Sequence, residues 1–251
     1  MEAAVKNIVF MGSKKIGYEC LHTLIDKGYG DHIAAVFTTP THPLDHPIEN
    51  IYQIAYSNNL PIYTELNDLY AIDNIEFLIS VQYNKILKPN HIAKAKKLAI
   101  NLHLAPLPEY RGCNQFSFAI LDERKEFGVT IHKIDSGIDS GDILFERRFA
   151  IPPQCLVYEL YELSLQAGVA LFKEKMEDIL NLKFTPIPQA TRIASYGTAI
   201  HYRSEMNELK KFDINWPAEK IARHIRATWF PPFEPPYYEW EGKKMFVSLT
   251  N

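Results

Sequence analysis

The chain has 251 residues, of which 47% are hydrophobic and 23% are charged. This length and composition allow one large or two small buried cores, which excludes a disordered protein. Lysine and arginine number 27 against 30 aspartate and glutamate, so the formal net charge is −3. Because nucleic-acid binding usually needs a broad basic face, we expect no nucleic-acid partner.

The three cysteines, Cys20, Cys113 and Cys155, are odd in number and widely spaced, with no CxxC pair. This spacing argues against a disulfide framework and against a structural zinc site. No segment approaches the roughly 18 consecutive apolar residues of a membrane span, and the N-terminus runs into a strand pattern without the features of a signal peptide. We therefore expect a cytoplasmic protein that does not associate with membranes.

The first hundred residues alternate between short apolar runs and segments of helical character. The apolar runs predict strands over 8–11, 33–37, 61–63, 75–81 and 98–103. Helices are predicted up to about residue 27, over 48–58 and over 89–96, with a loop rich in proline and histidine up to residue 47. This alternation predicts a doubly wound, mostly parallel α/β sheet of Rossmann-like type, whose ligands bind beyond the carboxyl ends of the strands.

Two further strands are predicted over 127–134 and 142–151, joined by a tight polar loop. Apolar residues at helical spacing predict one long amphipathic helix over 154–182 that covers the sheet. After residue 188 proline, tyrosine and tryptophan become frequent, and the prolines of 229–236 exclude a helix interior. We expect a main domain over 1–189 and a small C-terminal appendage over 190–251.

Polar residues stand at the end of the strand predicted over 98–103. If this segment is a strand, Asn101 and His103 project from the same face at its carboxyl end, so that an amide and an imidazole share one site. A histidine in this position can also be a structural residue held by hydrogen bonds. The loop 135–142 carries three carboxylates, one of which could orient the tautomer of His103.

The same loop has a competing interpretation as a calcium loop. Counted from Asp135, Glu146 falls on the last ligand position, but Gly137 replaces a ligand and Ser140 replaces the turn glycine. The flanking segments are also predicted strands rather than helices. We therefore expect no bound metal.

Together these stretches resemble the formyltransferase family that uses N10-formyltetrahydrofolate. The resemblance rests on Asn-x-His at 101–103, Leu-Pro-x-Tyr-Arg-Gly at 107–112, Gly-Val-Thr-Ile-His at 128–132 and Asp-x-Gly-x-Asp-x-Gly-Asp at 135–142. It implies a catalytic domain over 1–189, N-formyltransferase activity and catalytic roles for Asn101, His103 and Asp139.

The chemistry of formyl transfer suits these three residue types. A primary amine attacks the formyl carbon, and Asn101 can donate to the developing oxyanion, a contact worth about 3–4 kcal/mol where such donors have been removed. His103 acts either as the general base for the amine or, if protonated, as a second stabiliser of the oxyanion. Asp139 orients His103. Neither a metal nor a covalent intermediate is required, so Cys113 is read as a packing residue.

The resemblance also implies N10-formyltetrahydrofolate as co-substrate. The family's pterin-contact position falls on 82–87, and the expected cofactor-binding residues are Tyr83, Ile86, Leu87 and Asp135. A plain strand-to-helix connection is the alternative for 82–87. The turn 12–17 could be taken for a phosphate loop, but it lacks GxGxxG and a Gly-Lys-Ser/Thr sequence.

The stretches 108–117 and 222–233 are similar to those of the sugar-nucleotide N-formyltransferases. They imply an amino sugar on a nucleoside diphosphate as substrate, with dTDP the expected carrier, as in synthesis of surface polysaccharides. Methionyl-tRNA formyltransferases have a longer C-terminal domain, and glycinamide ribonucleotide formyltransferases end near the long helix. The expected substrate-binding residues are Arg111, Asn114, Gln115, Tyr196, Arg223, Arg226 and Trp229.

Each of these assignments has an alternative. The arginines could be solvated surface residues, and the aromatic cluster could be the appendage's own core or a contact in a homodimer, which is the expected assembly. Methionyl-tRNA and glycinamide ribonucleotide stay open as substrates. Two alternatives come from other functional classes. One is a folate-binding module without catalysis, and the other is an interaction protein that uses the C-terminal appendage, called the tail below.

Overall fold

The computed structural model describes residues 7–39 and 50–249. The predicted loop through residue 47 and the first residues of the predicted helix 48–58 lie outside the described residues, apart from Thr38 and Thr39. The described residues up to 150 form eight strands: β1 (Ile8–Gly12), β2 (Ile33–Phe37), β3 (Ile62–Tyr63), β4 (Phe77–Val81), β5 (Leu98–His103), β6 (Tyr110–Gly112), β7 (Glu126–Lys133) and β8 (Ile143–Ala150).

Seven of these strands form one sheet in the order β3-β2-β1-β4-β5-β7-β8. Strands β1 to β5 are all parallel to one another, whereas β7 is antiparallel to both β5 and β8. The sheet is therefore mostly parallel, and the predicted α/β fold class is confirmed. The carboxyl ends of β1, β4 and β5, which are neighbours in the sheet, meet at one edge, where a site is expected.

Helices cover the sheet and join its strands. The helices of the sheet region are α1 (Lys14–Leu24), α2 (Ile51–Ser57), α3 (Pro89–Ile92), α4 (Gln115–Leu121) and α5 (Val157–Leu180). Apolar residues of α1 and α5 pack with those of β1, β4 and β5 into the main core, in which Phe10 and Phe172 are fully buried. Continuous apolar runs form the central strands because both faces of these strands are covered.

The long helix α5 is shorter than the helix predicted over 154–182. Gln154 and Leu182 have φ of 59° and 56°, in the left-handed region that does not continue a right-handed helix. The turn in which the N–H of Cys155 donates to the carbonyl of Pro152 also precedes the helix. The helix therefore begins at Val157 and ends at Leu180.

The tail consists of α6 (Ala190–Tyr196), β9 (Ala199–His201), α7 (Glu205–Leu209), α8 (Ala218–Thr228), β10 (Tyr237–Trp240) and β11 (Lys243–Phe246). It is attached to the sheet region at several points. Strand β9 pairs in parallel with β6, α8 packs on α4, and Asn114 Nδ2 donates to the carbonyl of Tyr202 at 2.8 Å. The segment 229–236 contains no helix, as its prolines predict. Within the two described ranges, no helix is both long and apolar enough to cross a membrane.

Candidate active site

The register between β5 and β7 gathers polar side chains on one face of the sheet. Asn101 pairs with His132 and His103 pairs with Thr130. Because side chains alternate between the two faces of a strand, Asn101 and His103 share a face with the residues opposite them. His103 and His132 are almost fully buried, with 4% and 2% exposure, and their ring centroids are 6.2 Å apart.

The loop after β7 brings Asp139 onto this face. Its Oδ1 lies 3.4 Å from Nδ2 of Asn101 and its Oδ2 lies 3.7 Å from Nδ1 of His103. Oδ1 is also 3.5 Å from Nε2 of His132. The structure thus brings together the three residues predicted to be catalytic, and it adds a fourth polar residue, His132.

Backbone and side-chain donors hold the loop that carries Asp139. The N–H of Gly112 donates to Asp139 Oδ2 at 2.9 Å, and Arg111 Nε donates to the carbonyl of Ile138 at 2.7 Å. On the other side, Nε2 of the buried Gln189 donates to the carbonyls of Asp139 and Gly141, both at 2.8 Å. Asp139 itself has a φ of 44°, which aspartate tolerates better than most residues.

The surroundings of Asp139 set its charge. Burial of the carboxyl acts to raise its pKa, but the imidazoles of His103 and His132 and the N–H of Gly112 favour the carboxylate more strongly. The pKa of Asp139 therefore lies well below its usual range. The carboxyl group is therefore ionised near neutral pH.

Hydrogen bonds define where His103 carries its hydrogens. Its Nε2 lies 2.8 Å from the carbonyl oxygen of Tyr110, which can only accept, so Nε2 carries a hydrogen. The other nitrogen, Nδ1, faces the carboxylate of Asp139. His103 is thus placed between two acceptors, an arrangement that suits a ring with hydrogens on both nitrogens. If His103 is neutral, its free lone pair is on Nδ1, on the side of Asp139.

The expected cofactor-binding residues lie on two loops. Tyr83, Ile86 and Leu87 follow β4, and Ile86 is 84% exposed. The hydroxyl of Tyr83 is buried without a hydrogen-bond partner in the described parts of the chain, and burial, with a smaller effect of Glu65, raises the pKa of Tyr83 to about 12. Asp135 instead accepts hydrogen bonds from Gly137 N–H at 3.1 Å and Ser140 Oγ at 2.5 Å, so it shapes its own loop.

The residues expected to bind substrate near β6 are partly committed to contacts within the chain. Arg111 and Asn114 make the hydrogen bonds to Ile138 and Tyr202 described above. Gln115 is buried at the start of α4, and the ring of the half-exposed Tyr196 is covered by Arg148, whose Cζ lies 4.9 Å from the ring centroid. Their roles toward a substrate stay predictions.

The tail residues divide into two groups. Arg223 pairs with Glu123 at 2.5 Å and Arg226 donates to Gln154 Oε1 at 2.5 Å, so both arginines join α8 to the sheet region. Trp229 instead lines a cavity of about 430 Å³ together with Lys15, Tyr158, Glu162, Leu165 and Phe230. The exposed Lys15 is the only cation among the residues that line this cavity.

This cavity, which we call the Trp229 cavity, is separate from Asn101, His103 and Asp139. Lys15 lies in the first turn of α1, directly after β1, and the neighbouring Ser13 Oγ and Lys14 Nζ donate to Gln82 at the end of β4. Strand β4 lies between β1 and β5, so the ends of β1 and β5 are two strand spacings, or about 9–10 Å, apart. Tyr161 and Leu165, which also line the cavity, pack in the main core with Ile100 and Leu102, so the cavity lies on the face of the sheet opposite the side chains of Asn101 and His103.

Two of the polar residues at the site were not predicted. His132 is part of the motif at 128–132. Only the pairing register of β5 and β7 shows that it lies opposite Asn101, and this register cannot be read from the sequence. Gln189 stands at the predicted domain boundary, and no pattern in the sequence marks it as a residue of the site. In the described ranges 7–39 and 50–249, no group of three or more histidine, cysteine, aspartate or glutamate residues is arranged to hold a metal ion.

The chain is similar to known proteins over most of its length. A family model described as formyl transferase matches residues 6–175. A methionyl-tRNA formyltransferase of Alkaliphilus oremlandii is 27% identical over 254 residues, covering 97% of this chain and 80% of the relative. A GDP-perosamine N-formyltransferase of Brucella melitensis is 27% identical over 239 residues, covering 92% of this chain and 88% of the relative.

A solved structure is similar to the whole fold. The crystal structure of WlaRD, a sugar 3N-formyl transferase in the presence of dTDP and 5-N-formyl-THF, has a TM-score of 0.79 and 26% sequence identity. The similarity covers 96% of this chain and 85% of that chain. The tail is therefore included in the structural similarity.

Proposed function

This chain belongs to the formyl transferase family, and we propose that it transfers a formyl group from N10-formyltetrahydrofolate to the primary amine of a sugar carried on a nucleoside diphosphate. The observation that carries the proposal is the cluster in which the carboxylate of Asp139 lies within 4 Å of both Asn101 and His103. An amide donor, an imidazole and a carboxylate near the carboxyl ends of the strands are groups that suit acyl transfer to an amine.

The transfer makes a bond between the amine nitrogen and the formyl carbon and breaks the bond between that carbon and N10 of the folate. Negative charge builds on the formyl oxygen as the amine attacks. We propose that Asn101 Nδ2 donates to this oxygen. The side chain is only partly buried, and the contact of Nδ2 with Asp139 Oδ1 is long, at 3.4 Å.

Proton transfer completes the reaction. The amine loses one proton and N10 gains one, so that no proton is consumed overall. In the free protein His103 stands between two acceptors, which supports an imidazolium that stabilises the negative charge on the formyl oxygen. Asp139 holds Nδ1 of His103 on its side and, being ionised, balances the charge of the ring.

The folate is proposed to lie against the loop after β4 and the loop of Asp135 to Asp142. The buried and unpartnered hydroxyl of Tyr83 is a polar atom without a partner in the described chain, and ordered ligand groups commonly satisfy such atoms. Ile86 at 84% and Ile138 at 39% exposure provide apolar surface on the two loops. These residues fit a flat, partly apolar ring system with polar edges.

The nucleotide part of the substrate is proposed to occupy the Trp229 cavity. Tyr158 and Trp229 offer aromatic faces for a base, with ring centroids 5.7 Å apart, and Lys15 offers a positive charge for the pyrophosphate. The sugar and its phosphates would then have to pass the carboxyl ends of β1 and β5, which are about 9–10 Å apart. In this arrangement the amine reaches Asn101 while the base stays near the tail.

Methionyl-tRNA is the second candidate acceptor, because the Alkaliphilus relative carries that activity in its name. Three of the nine lysines and arginines of the tail weigh against it. Arg192 pairs with Glu146 at 2.8 Å, Lys211 with Glu239 at 2.8 Å and Arg223 with Glu123 at 2.5 Å. Binding of a phosphate backbone depends on cations that neutralise it, and these three are already paired with carboxylates.

A substrate panel tests the proposal. Purified protein is incubated with N10-formyltetrahydrofolate and with amino sugars linked to dTDP, UDP or GDP, and tetrahydrofolate release is followed; methionyl-tRNA and glycinamide ribonucleotide are run in parallel. We expect turnover with at least one sugar nucleotide. Turnover confined to methionyl-tRNA or glycinamide ribonucleotide would overturn the choice of substrate, and folate binding without turnover on any amine would overturn the enzyme function. Sedimentation on the same sample tests the expected homodimer.

A further inference from the structure

His132 lies beside Asn101 on the neighbouring strand β7 and is 2% exposed. Its two ring nitrogens have different neighbours. Nδ1 is 2.7 Å from the carbonyl oxygen of Lys133, and Nε2 is 3.3 Å from Nδ2 of Asn101. The ring therefore reaches both its own backbone and the side chain that is proposed to stabilise the oxyanion.

The chemistry of these neighbours fixes the hydrogens of His132. A carbonyl oxygen can only accept, so Nδ1 carries a hydrogen and donates it to Lys133. The amide nitrogen of Asn101 can only donate, so Nε2 is unprotonated and accepts from it. Nε2 also lies 3.5 Å from Oδ1 of Asp139, but Nδ2 of Asn101 is its nearer neighbour at 3.3 Å, and we take the amide as its partner.

We propose that His132 is a positioning residue that aims the amide of Asn101. By accepting one hydrogen of the amide group, Nε2 fixes which end of the side chain carries nitrogen and directs the second hydrogen toward the site. That second hydrogen is near Asp139 Oδ1 at 3.4 Å, a weak contact that a formyl oxygen can replace. The inference rests on the proposed function, because it concerns how Asn101 meets its substrate.

The acceptor on His132 restricts how the amide of Asn101 can turn. Without it, Oδ1 of Asp139 is the acceptor that remains near Nδ2, so the amide can turn to donate to the carboxylate at a shorter distance. The hydrogen that is proposed to meet the formyl oxygen is then directed away from the site. Displacement of such a group by about 1 Å can cost about 100-fold in rate.

Two substitutions of His132 separate the two ring nitrogens. The side chain of His132→Asn reaches the position of Nδ1 and can still bond to Lys133, but it leaves Asn101 without an acceptor. The side chain of His132→Gln reaches the position of Nε2 and offers its oxygen to Asn101. We expect His132→Asn to lower kcat about 10- to 100-fold with little change in KM for either substrate, and His132→Gln to restore most of the loss.

A control on the same strand tests whether a general loosening of β7 is enough to lower kcat. Val129 is fully buried in the core and precedes His132 by three residues, so its side chain points away from the polar cluster. Val129→Ala is expected to lower the melting temperature and to keep kcat within about 2-fold of wild type. In the Asn101→Ala background, His132→Asn is expected to cause no further loss, because the group that it aims is gone.

The tautomer of His132 is measured independently of turnover. Nitrogen NMR of protein labelled in histidine distinguishes a ring with its hydrogen on Nδ1 from a ring with its hydrogen on Nε2, and His132→Gln identifies the signal. We expect the hydrogen on Nδ1. A hydrogen on Nε2, or equal kcat losses in His132→Asn and His132→Gln, would overturn the proposal. If no amine on the panel turns over, the proposed function fails, and the NMR measurement still decides the tautomer.

Discussion

The backbone N–H of Gly112 donates a 2.9 Å hydrogen bond to Oδ2 of Asp139. This bond connects two stretches that are separated by 27 residues and that were recognised as separate motifs. Gly112 belongs to β6, which pairs with β9 of the tail, so the same residue ties the site to the tail. The position of the carboxylate therefore depends on the backbone of Gly112.

The first prediction concerns this glycine. Gly112 has a φ of 83°, and a Cβ at this position would lie 2.2 Å from the carbonyl oxygen of His201. Gly112→Ala is therefore expected to separate β6 from β9, displace Asp139 and lower kcat at least about 10-fold, as checked by turnover and thermal melting. Gly28→Ala is the matched control, since Gly28 has the same φ but nothing within 4 Å of its Cβ position. That variant should lose about 1–2 kcal/mol of stability and keep its kcat; equal kcat in both variants would contradict the role given to Gly112.

The second prediction concerns Gln189, whose side chain holds two carbonyls of the Asp139 loop. Gln189→Leu leaves both carbonyls without this donor, which is expected to cost about 1–3 kcal/mol and to lower kcat. Asn58→Leu removes a comparable bond from an amide to the carbonyl of Ile54 at the end of α2, and it should affect stability alone. A Gln189→Leu enzyme with wild-type kcat would show that the loop does not need this contact.

The third prediction concerns Tyr83. Its hydroxyl is buried without a partner in the described chain, so Tyr83→Phe is expected to leave the stability unchanged or slightly higher. If the folate satisfies this hydroxyl, KM for the formyl donor rises in the same variant. Urea unfolding and steady-state kinetics measure the two effects. A loss of stability together with an unchanged KM would contradict the assignment.

The fourth prediction follows from the lowered pKa of Asp139. The ionised group stabilises the folded protein above the pKa of an unfolded aspartate, about 3.9, and this contribution is lost as the pH falls toward the lower pKa of the folded state. The stability difference between wild type and Asp139→Asn should therefore be largest near pH 7 and smaller at about pH 3. Urea unfolding at both pH values tests this, and a difference that grows in acid would have the wrong sign.

The fifth prediction concerns Lys15 in the Trp229 cavity. Lys15→Met is expected to raise KM for the sugar nucleotide several-fold, with the effect reduced at high salt, while kcat changes little. Lys27→Met, on the exposed turn after α1, is the control with the same change of charge. Equal KM values in the two variants would contradict binding of the pyrophosphate in this cavity.

Local sequence predicted the parts of the site that local rules govern. The apolar runs of β1, β4 and β5 identified buried parallel strands, and the period of two residues placed Asn101 and His103 on one face. The register that sets His132 opposite Asn101 is a contact between distant segments, and no local pattern encodes it. The same is true of Gln189, which reaches Asp139 across 50 residues.

The tail was the least predictable part of the chain. Its aromatic and proline content indicated irregular structure, but the pairing of β9 with β6 depends on a fit at Gly112 that composition does not describe. Arg223 and Arg226 show the same limit. Their planar donors suit phosphate, yet in the structure they meet Glu123 and Gln154, which only the packing of α8 brings near.

The central claim is that Asn101, His103 and Asp139 carry out formyl transfer to an amino sugar. Its most direct test is mass spectrometry of the sugar nucleotide after incubation with N10-formyltetrahydrofolate, for wild type and for Asn101→Ala. We predict that wild type adds one formyl group to the sugar amine, and that Asn101→Ala, folded by circular dichroism, does so about 100- to 1,000-fold more slowly. An unmodified sugar nucleotide with wild type, or equal rates in the two proteins, would contradict the claim.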